Sequence, residues 1–228
     1  MDPEDAVRFF RARFRAEGDA DRARQEKAYL KSTLRFHGVS IPKVRRAAAD
    51  FARAHTELDR SDLRAIVDAL LGTDYHDLRS AGIALLERLR DRLDARDAAW
   101  LLACVRQCPG WAHVDWIATK VLGPTVQEHR SMPGLLRAWA RDPDFWVRRT
   151  ALLAQHDALR AGEGDFALFE ELAVPMLGEK EFFIRKAIGW VLRETSKKRP
   201  ELVHAFVARH GERMAGLTRR EATKYLSS

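Results

Sequence analysis

Apolar residues recur along this chain at three- and four-residue intervals. The stretches 63–71 (LRAIVDALL), 83–93 (IALLERLRDRL), 97–105 (DAAWLLACV) and 202–208 (LVHAFVA) each put their apolar side chains on one face of a 3.6-residue period. No run alternates apolar and polar residues long enough to make a strand. Between the periodic stretches fall Gly38, Pro42, Gly72, Pro109-Gly110, Gly123-Pro124, Pro133-Gly134, Pro143, Gly162, Gly164, Gly178 and Pro200, residues that interrupt regular structure. The pattern predicts an all-α chain of helices joined by short turns, with a break at each of these positions.

A repeat lies on top of this pattern. The strings Val44-Arg45-Arg46-Ala47, Leu78-Arg79-Ser80-Ala81, Val114-Asp115-Trp116-Ile117, Val147-Arg148-Arg149-Thr150 and Ile184-Arg185-Lys186-Ala187 align, with Arg219-Arg220-Glu221-Ala222 as a weaker sixth copy. Their last members step along the chain by 34, 36, 33, 37 and 35 residues. In a helical chain, a period of roughly 35 predicts stacked helix pairs of the HEAT or armadillo kind. The expected architecture is an α-solenoid of about six HEAT-like repeats forming a single domain over residues 1–228. Residues 1–40 would supply capping helices, and the inner helices would line a concave basic groove.

Composition narrows the class. The chain has 228 residues, of which 46% are hydrophobic, enough to build a core and to exclude wholesale disorder. Two cysteines are too few for a disulfide framework and suit a reducing compartment. No apolar run approaches the ~20 residues of a membrane span. The opening residues MDPEDAVRFFRARF hold no signal-peptide core. The expectation is an intracellular, cytoplasmic protein, not bound to a membrane and monomeric.

Lys and Arg total 40 against 33 acids, a net charge of +7, and only nine of the cations are lysine. Such a balance is compatible with a polyanionic partner and equally with a plain solvated surface. The repeat register sorts part of the excess into one column: Arg45, Arg79, Arg148, Arg185 and Arg220, interrupted by Asp115. A row of guanidinium groups one repeat apart suits phosphate tracking. The same column also suits arginines that bond carbonyls or acids of the adjoining repeat. Asp115 is either a helix N-terminal acid after Pro109-Gly110 or a residue with a separate task.

Six tryptophans are present. Trp111 stands four residues before Asp115, so a helix there puts both on one side, one turn apart. Trp190 follows Ile184 by six residues. Trp100, Trp116, Trp139 and Trp146 sit within apolar stripes and read as packing residues. Cys104, Cys108 and His113 lack the ligand count of a zinc site, and the chain has no Gly-rich phosphate loop, so no cofactor or metal is expected.

Three strings carry a resemblance: Gly110-Trp111-Ala112-His113-Val114-Asp115, Trp146-Val147-Arg148-Arg149-Thr150-Ala151, and residues 181–194 (EFFIRKAIGWVLRE). They are similar to the AlkD family of DNA glycosylases. Ala28-Tyr29-Leu30-Lys31-Ser32 and Arg220-Glu221-Ala222 resemble it too, so the likeness runs from about residue 25 to the end. The 181–194 string is the most specific part, while 156–166 departs from the family pattern in length and glycine content.

The resemblance implies a HEAT-like solenoid that grips duplex DNA and hydrolyses the N-glycosidic bond of cationic N3- or N7-alkylated purines, leaving an abasic site. It assigns Trp111, Asp115 and Trp190 as the catalytic set, Arg149 to DNA beside them, and Tyr29 to the neighbourhood of the lesion. Arg45, Arg148, Arg185, Lys186 and Arg220 are the further DNA-binding candidates. It also implies a lesion that stays stacked, a site tolerant of bulky adducts, and no lysine nucleophile, hence no strand cleavage. The alternative is a non-catalytic HEAT-repeat module that binds DNA or protein.

Overall fold

The computed structural model describes residues 1–226, and helices account for most of them. In chain order they are α1 (Pro3–Glu17), α2 (Ala20–Leu30), α3 (Ile41–Ala54), α4 (Arg60–Leu71), α5 (His76–Arg88), α6 (Ala98–Arg106), α7 (Trp111–Trp116), α8 (Gly123–Glu128), α9 (Met132–Trp139), α10 (Phe145–Leu153), α11 (His156–Ala161), α12 (Phe166–Met176), α13 (Phe182–Ser196), α14 (Pro200–His210) and α15 (Gly216–Ala222). The extended pairing among the described residues is one isolated bridge between Arg35 and Tyr75. No helix among them is long and apolar enough to cross a membrane. The fold is all-α.

Contacts divide the chain into two compact units, Met1–Ile117 and Ala118–Ser228. In the first, α3 and α4 both pack on α5, α1 packs on α4, and α5 reaches α7. Phe10, Phe14 and Phe51 are fully enclosed there, with the Phe10 and Phe51 rings 5.2 Å apart. In the second unit α10 and α11 pack on α13, and α13 packs on α15.

The repeat strings explain this stacking. Each begins two or three residues after the first residue of one of α3, α5, α7, α10, α13 and α15. Val44, Leu78, Val114, Val147 and Ile184 are fully buried, as are Ala47, Ala81, Ile117, Thr150, Ala187 and Ala222. Residues three apart share a helix face, so these two columns form the seam each helix turns inward. Of the polar residues between them, Ser80 and Arg149 are also buried.

α13 and α15 come close together at Gly189. A Cβ there would stand 2.7 Å from Cβ of Glu221 and 3.2 Å from the Thr218 carbonyl. No side chain fits in that space, which accounts for glycine beside Trp190.

One expected break does not occur. Gly123-Pro124 lies inside a helical run that continues from α7 through a π-helical segment, Ile117–Leu122, into α8. In a regular α-helix the Pro124 ring would press on the Lys120 carbonyl and leave it without an N–H donor. The wider π turn relieves that conflict, and the run ends at His129 instead.

The segment that leads into α3 is anchored by a buried acid. Asp77 is 1% exposed and accepts hydrogen bonds from the backbone N–H of His37 at 2.6 Å and of Val39 at 2.8 Å. These flank Gly38, whose φ of +78° needs a residue without a side chain. Replacing Asp77 by Ala leaves two backbone donors unpaired in a buried setting. We expect a loss of about 2–4 kcal/mol in urea denaturation, read against a wild-type m-value.

Candidate functional site

The residues singled out from the sequence divide between the two units. In the first, Gly110 caps α7 in an extended conformation, so Trp111 is the first helical residue and Asp115 lies one turn on, on the same side. Both are half-buried. Tyr29, at the end of α2, is 73% exposed and meets the Trp111 ring edge-to-face, with centroids 5.8 Å apart. α2 buries none of its side chains. Trp111 also edges a crevice of about 30 Å³, lined with Leu30, Ser32, His76 and Pro109. That is an order of magnitude below a ligand pocket.

Behind Trp111 lies a stack that sequence reading missed. The rings of Phe36 and His76 stack at 4.5 Å, and those of His76 and His113 at 4.3 Å. Nε2 of His113 is 3.1 Å from the Ser80 hydroxyl. Burial pushes the His76 imidazole down to about 4 and holds His113 well below the usual range, so both are neutral near pH 7.

The arginine column has a structural use. Arg79 Nε donates to the Thr73 carbonyl at 2.7 Å, Arg148 Nη1 to the Asp142 carbonyl at 2.7 Å, and Arg185 Nε to the Glu179 carbonyl at 2.6 Å. Each bond reaches six residues back and fastens the turn that precedes its own helix. Arg148 adds a two-pronged ion pair with Glu179 at 2.8 and 3.0 Å. Arg45 pairs with Glu87 at 3.0 Å and lies 4.9 Å over the Trp116 ring. Arg220 is exposed.

Asp115 holds the equivalent position on α7 and, as an acceptor, cannot fasten the Pro109 carbonyl six residues back. The turn before α7 is instead held from α5, where Arg79 Nη1 donates to the Gln107 carbonyl at 2.9 Å.

In the second unit, Arg149 is 3% exposed. It donates to the Phe183 carbonyl, helping to hold the first turn of α13. Lys186 pairs with Glu221 at 2.6 Å, and this ammonium is the main cause keeping the Glu221 carboxyl below its usual range.

Trp190 is half-buried and packs on His156 with ring centroids 4.3 Å apart. His156 is 3% exposed, and its Nδ1 lies 2.9 Å from Asp157, which pairs in turn with Lys120 at 2.5 Å. The His156 bond, followed by Lys120, holds the Asp157 carboxyl down to about 2. This His–Asp–Lys chain beside Trp190 has no signal in the sequence, because Trp190 and Lys120 meet His156 and Asp157 only in the fold.

The other tryptophans pack. Trp100 Nε1 donates to Asp68 at 2.9 Å, Trp116 Nε1 to Glu87 at 2.7 Å, Trp139 is buried, and Trp146 leans on Phe183 at 4.7 Å. Cys104 and Cys108 are buried free thiols, pushed up to about 12 by that burial.

A family profile described as DNA alkylation repair enzyme matches residues 10–226. Among solved structures, a predicted DNA alkylation repair enzyme from Enterococcus faecalis is similar at 25% identity, with a TM-score of 0.83 over 93% of this chain and 98% of that one. AlkD2 from Streptococcus mutans shares the fold at 14% identity, with a TM-score of 0.62 over 83% of this chain and 91% of that one. No curated protein sequence matches the chain.

Proposed function

This chain belongs to the DNA alkylation repair enzyme family, and we propose that it is a monofunctional DNA glycosylase. Its substrates are N3- or N7-alkylated purines in duplex DNA, its product is an abasic site, and it acts as a monomeric single repeat domain on cytoplasmic, nucleoid-associated DNA. The observation that carries the reading is Asp115. Three helices of the stack use an arginine at this register to fasten the preceding turn. α7 gives up that bond for a carboxylate one turn from an indole.

The chemistry explains the exchange. An alkylated purine is cationic and leaves with the bonding electrons as a neutral base, so it needs little protonation. The deoxyribose left behind has oxocarbenium character, and a fixed negative charge near C1′ stabilises it. Asp115 supplies that charge and orients the water that attacks C1′; the attacking water's proton passes to the carboxylate or to solvent. The indole faces of Trp111 and, through the resemblance, Trp190 hold the sugar and attract the developing cation. The small crevice beside Trp111 favours a lesion that stays in the stack over one swung into a pocket. That arrangement leaves room for bulky adducts in the groove.

Tyr29, exposed against Trp111, is placed near the lesion. Arg149 and the column residues Arg45, Arg148, Arg185 and Arg220, with Lys186, serve the DNA backbone in this reading. Arg148 and Arg185 also keep their structural bonds.

The test is incubation of the protein with duplex DNA carrying N7-methylguanine or N3-methyladenine. Free base should appear, with the strand intact until alkali treatment. DNA binding without release from any cationic alkylpurine would identify a non-catalytic binding module instead.

A further inference from the structure

The first unit carries an arginine-lined cleft of which the proposed site uses Arg45 alone. It lies between the C-terminal ends of α3 and α5 and the turn after α5, and it has a volume of about 850 Å³. Arg45, Arg53, Arg88, Arg90 and Arg92 line it against two acids, Glu87 and Asp91. Its floor includes Ala49, Ala52 and Ala84, small side chains that let a ligand approach the helices closely.

Three of the five cations are already engaged. Arg45 pairs with Glu87, whose carboxylate also accepts from Trp116. Arg53 pairs with Asp50, and Arg92 donates to the Thr56 carbonyl at 3.3 Å. Arg88 and Arg90 are exposed, and neither guanidinium has an ion-pair or hydrogen-bond partner among the described residues. A helix C-terminus favours a cation or two through its dipole. Five guanidinium groups around one cleft go beyond that and raise its potential.

We propose that this cleft binds the phosphodiester backbone of duplex DNA, with Arg88 and Arg90 as its direct phosphate contacts. The proposal rests on the DNA-repair reading and adds a contact region to it. Guanidinium forks match phosphate oxygens in pairs, and a run of phosphates suits several cations around one open cleft better than a single carboxylate would. Such contacts carry affinity and register without base specificity.

The experiment compares wild type with the double variant Arg88→Gln/Arg90→Gln, binding unmodified duplex DNA across a salt series. Each lost phosphate contact lowers the slope of log K against log salt by ~0.9, so the variant's slope should be shallower by about two. Its low-salt affinity should fall by about tenfold or more, with an unchanged melting temperature.

Equal slopes and equal affinities would overturn the proposal. The two readings fail separately. If wild type binds DNA but releases no base while the variant's slope still falls, the glycosylase reading is lost and the cleft stands.

Discussion

Acidification from pH 6.5 towards pH 4 is expected to remove up to about 3 kcal/mol of folding stability through His76 alone. The imidazole sits between Phe36 and His113, and burial lowers it from 6.5 to about 4. Below pH 6.5 the unfolded chain takes up a proton that the folded chain refuses. The contribution is therefore whole above 6.5 and disappears as pH falls to about 4, at 1.36 kcal/mol for each pH unit of the gap. His113, also held well below its usual range by burial and by its neighbours His76 and Arg79, adds to the same slope.

Several carboxylates also lose stabilising partners in acid. Asp157, held at about 2, does so below this window, whereas Glu170, Glu194 and Glu221 overlap its lower end. Comparison with His76→Phe isolates the histidine, since a phenyl ring keeps the stack without a titrating group. Urea midpoints at pH 7.5, 6 and 5 should fall for wild type and fall less for the variant. Parallel profiles would remove His76 from the account. The stack also lines the crevice at Trp111, so the acid loss should reach the region of the first unit where the chemistry is placed.

How much could be read in the sequence depends on whether the signal was periodic. The buried columns headed by Val44 and Ala47 recur every 35 residues or so because stacked helices reuse one packing solution, and each maps onto a helix of the stack. Gly123-Pro124 misled because local breaker rules do not include a π turn that absorbs a proline.

The arginine column could be read, and so could its bonding to acids and carbonyls of the adjoining repeat, which Arg45–Glu87, Arg79–Gln107 and Arg148–Glu179 supply; the fastening of each helix's own preceding turn could not. A bond from Arg79 to a carbonyl six residues back depends on the turn geometry before α5, which residue types do not encode. His156 and Asp157 were invisible for a related reason. Their link to Trp190 and Lys120 is tertiary, and a lone His-Asp pair has no distinctive spacing. Asp115 was legible because it breaks a pattern, and the structure sharpens that signal: the residue it displaces would have fastened the start of its own helix.

Asp115→Asn is expected to keep the fold and to bind alkylated duplex DNA at least as well as wild type, since it removes a negative charge from a surface that meets phosphate. Its rate of base release should nevertheless fall by at least about a hundredfold, the scale set by removing one preorganised charge-stabilising group from a transition state. Asparagine has the same shape and can still hydrogen-bond water, so the loss isolates the charge that faces the oxocarbenium-like sugar.

The Trp111 indole, one turn from Asp115, is not expected to compensate, because the attraction of a π face for a cation, on the order of 1–2 kcal/mol, is smaller than the deficit. Single-turnover release of N7-methylguanine from duplex DNA, with enzyme saturating, measures this step without interference from binding or product release. The account predicts that Asp115→Asn releases base at least about a hundred times more slowly than wild type; equal rates for the two proteins would contradict it.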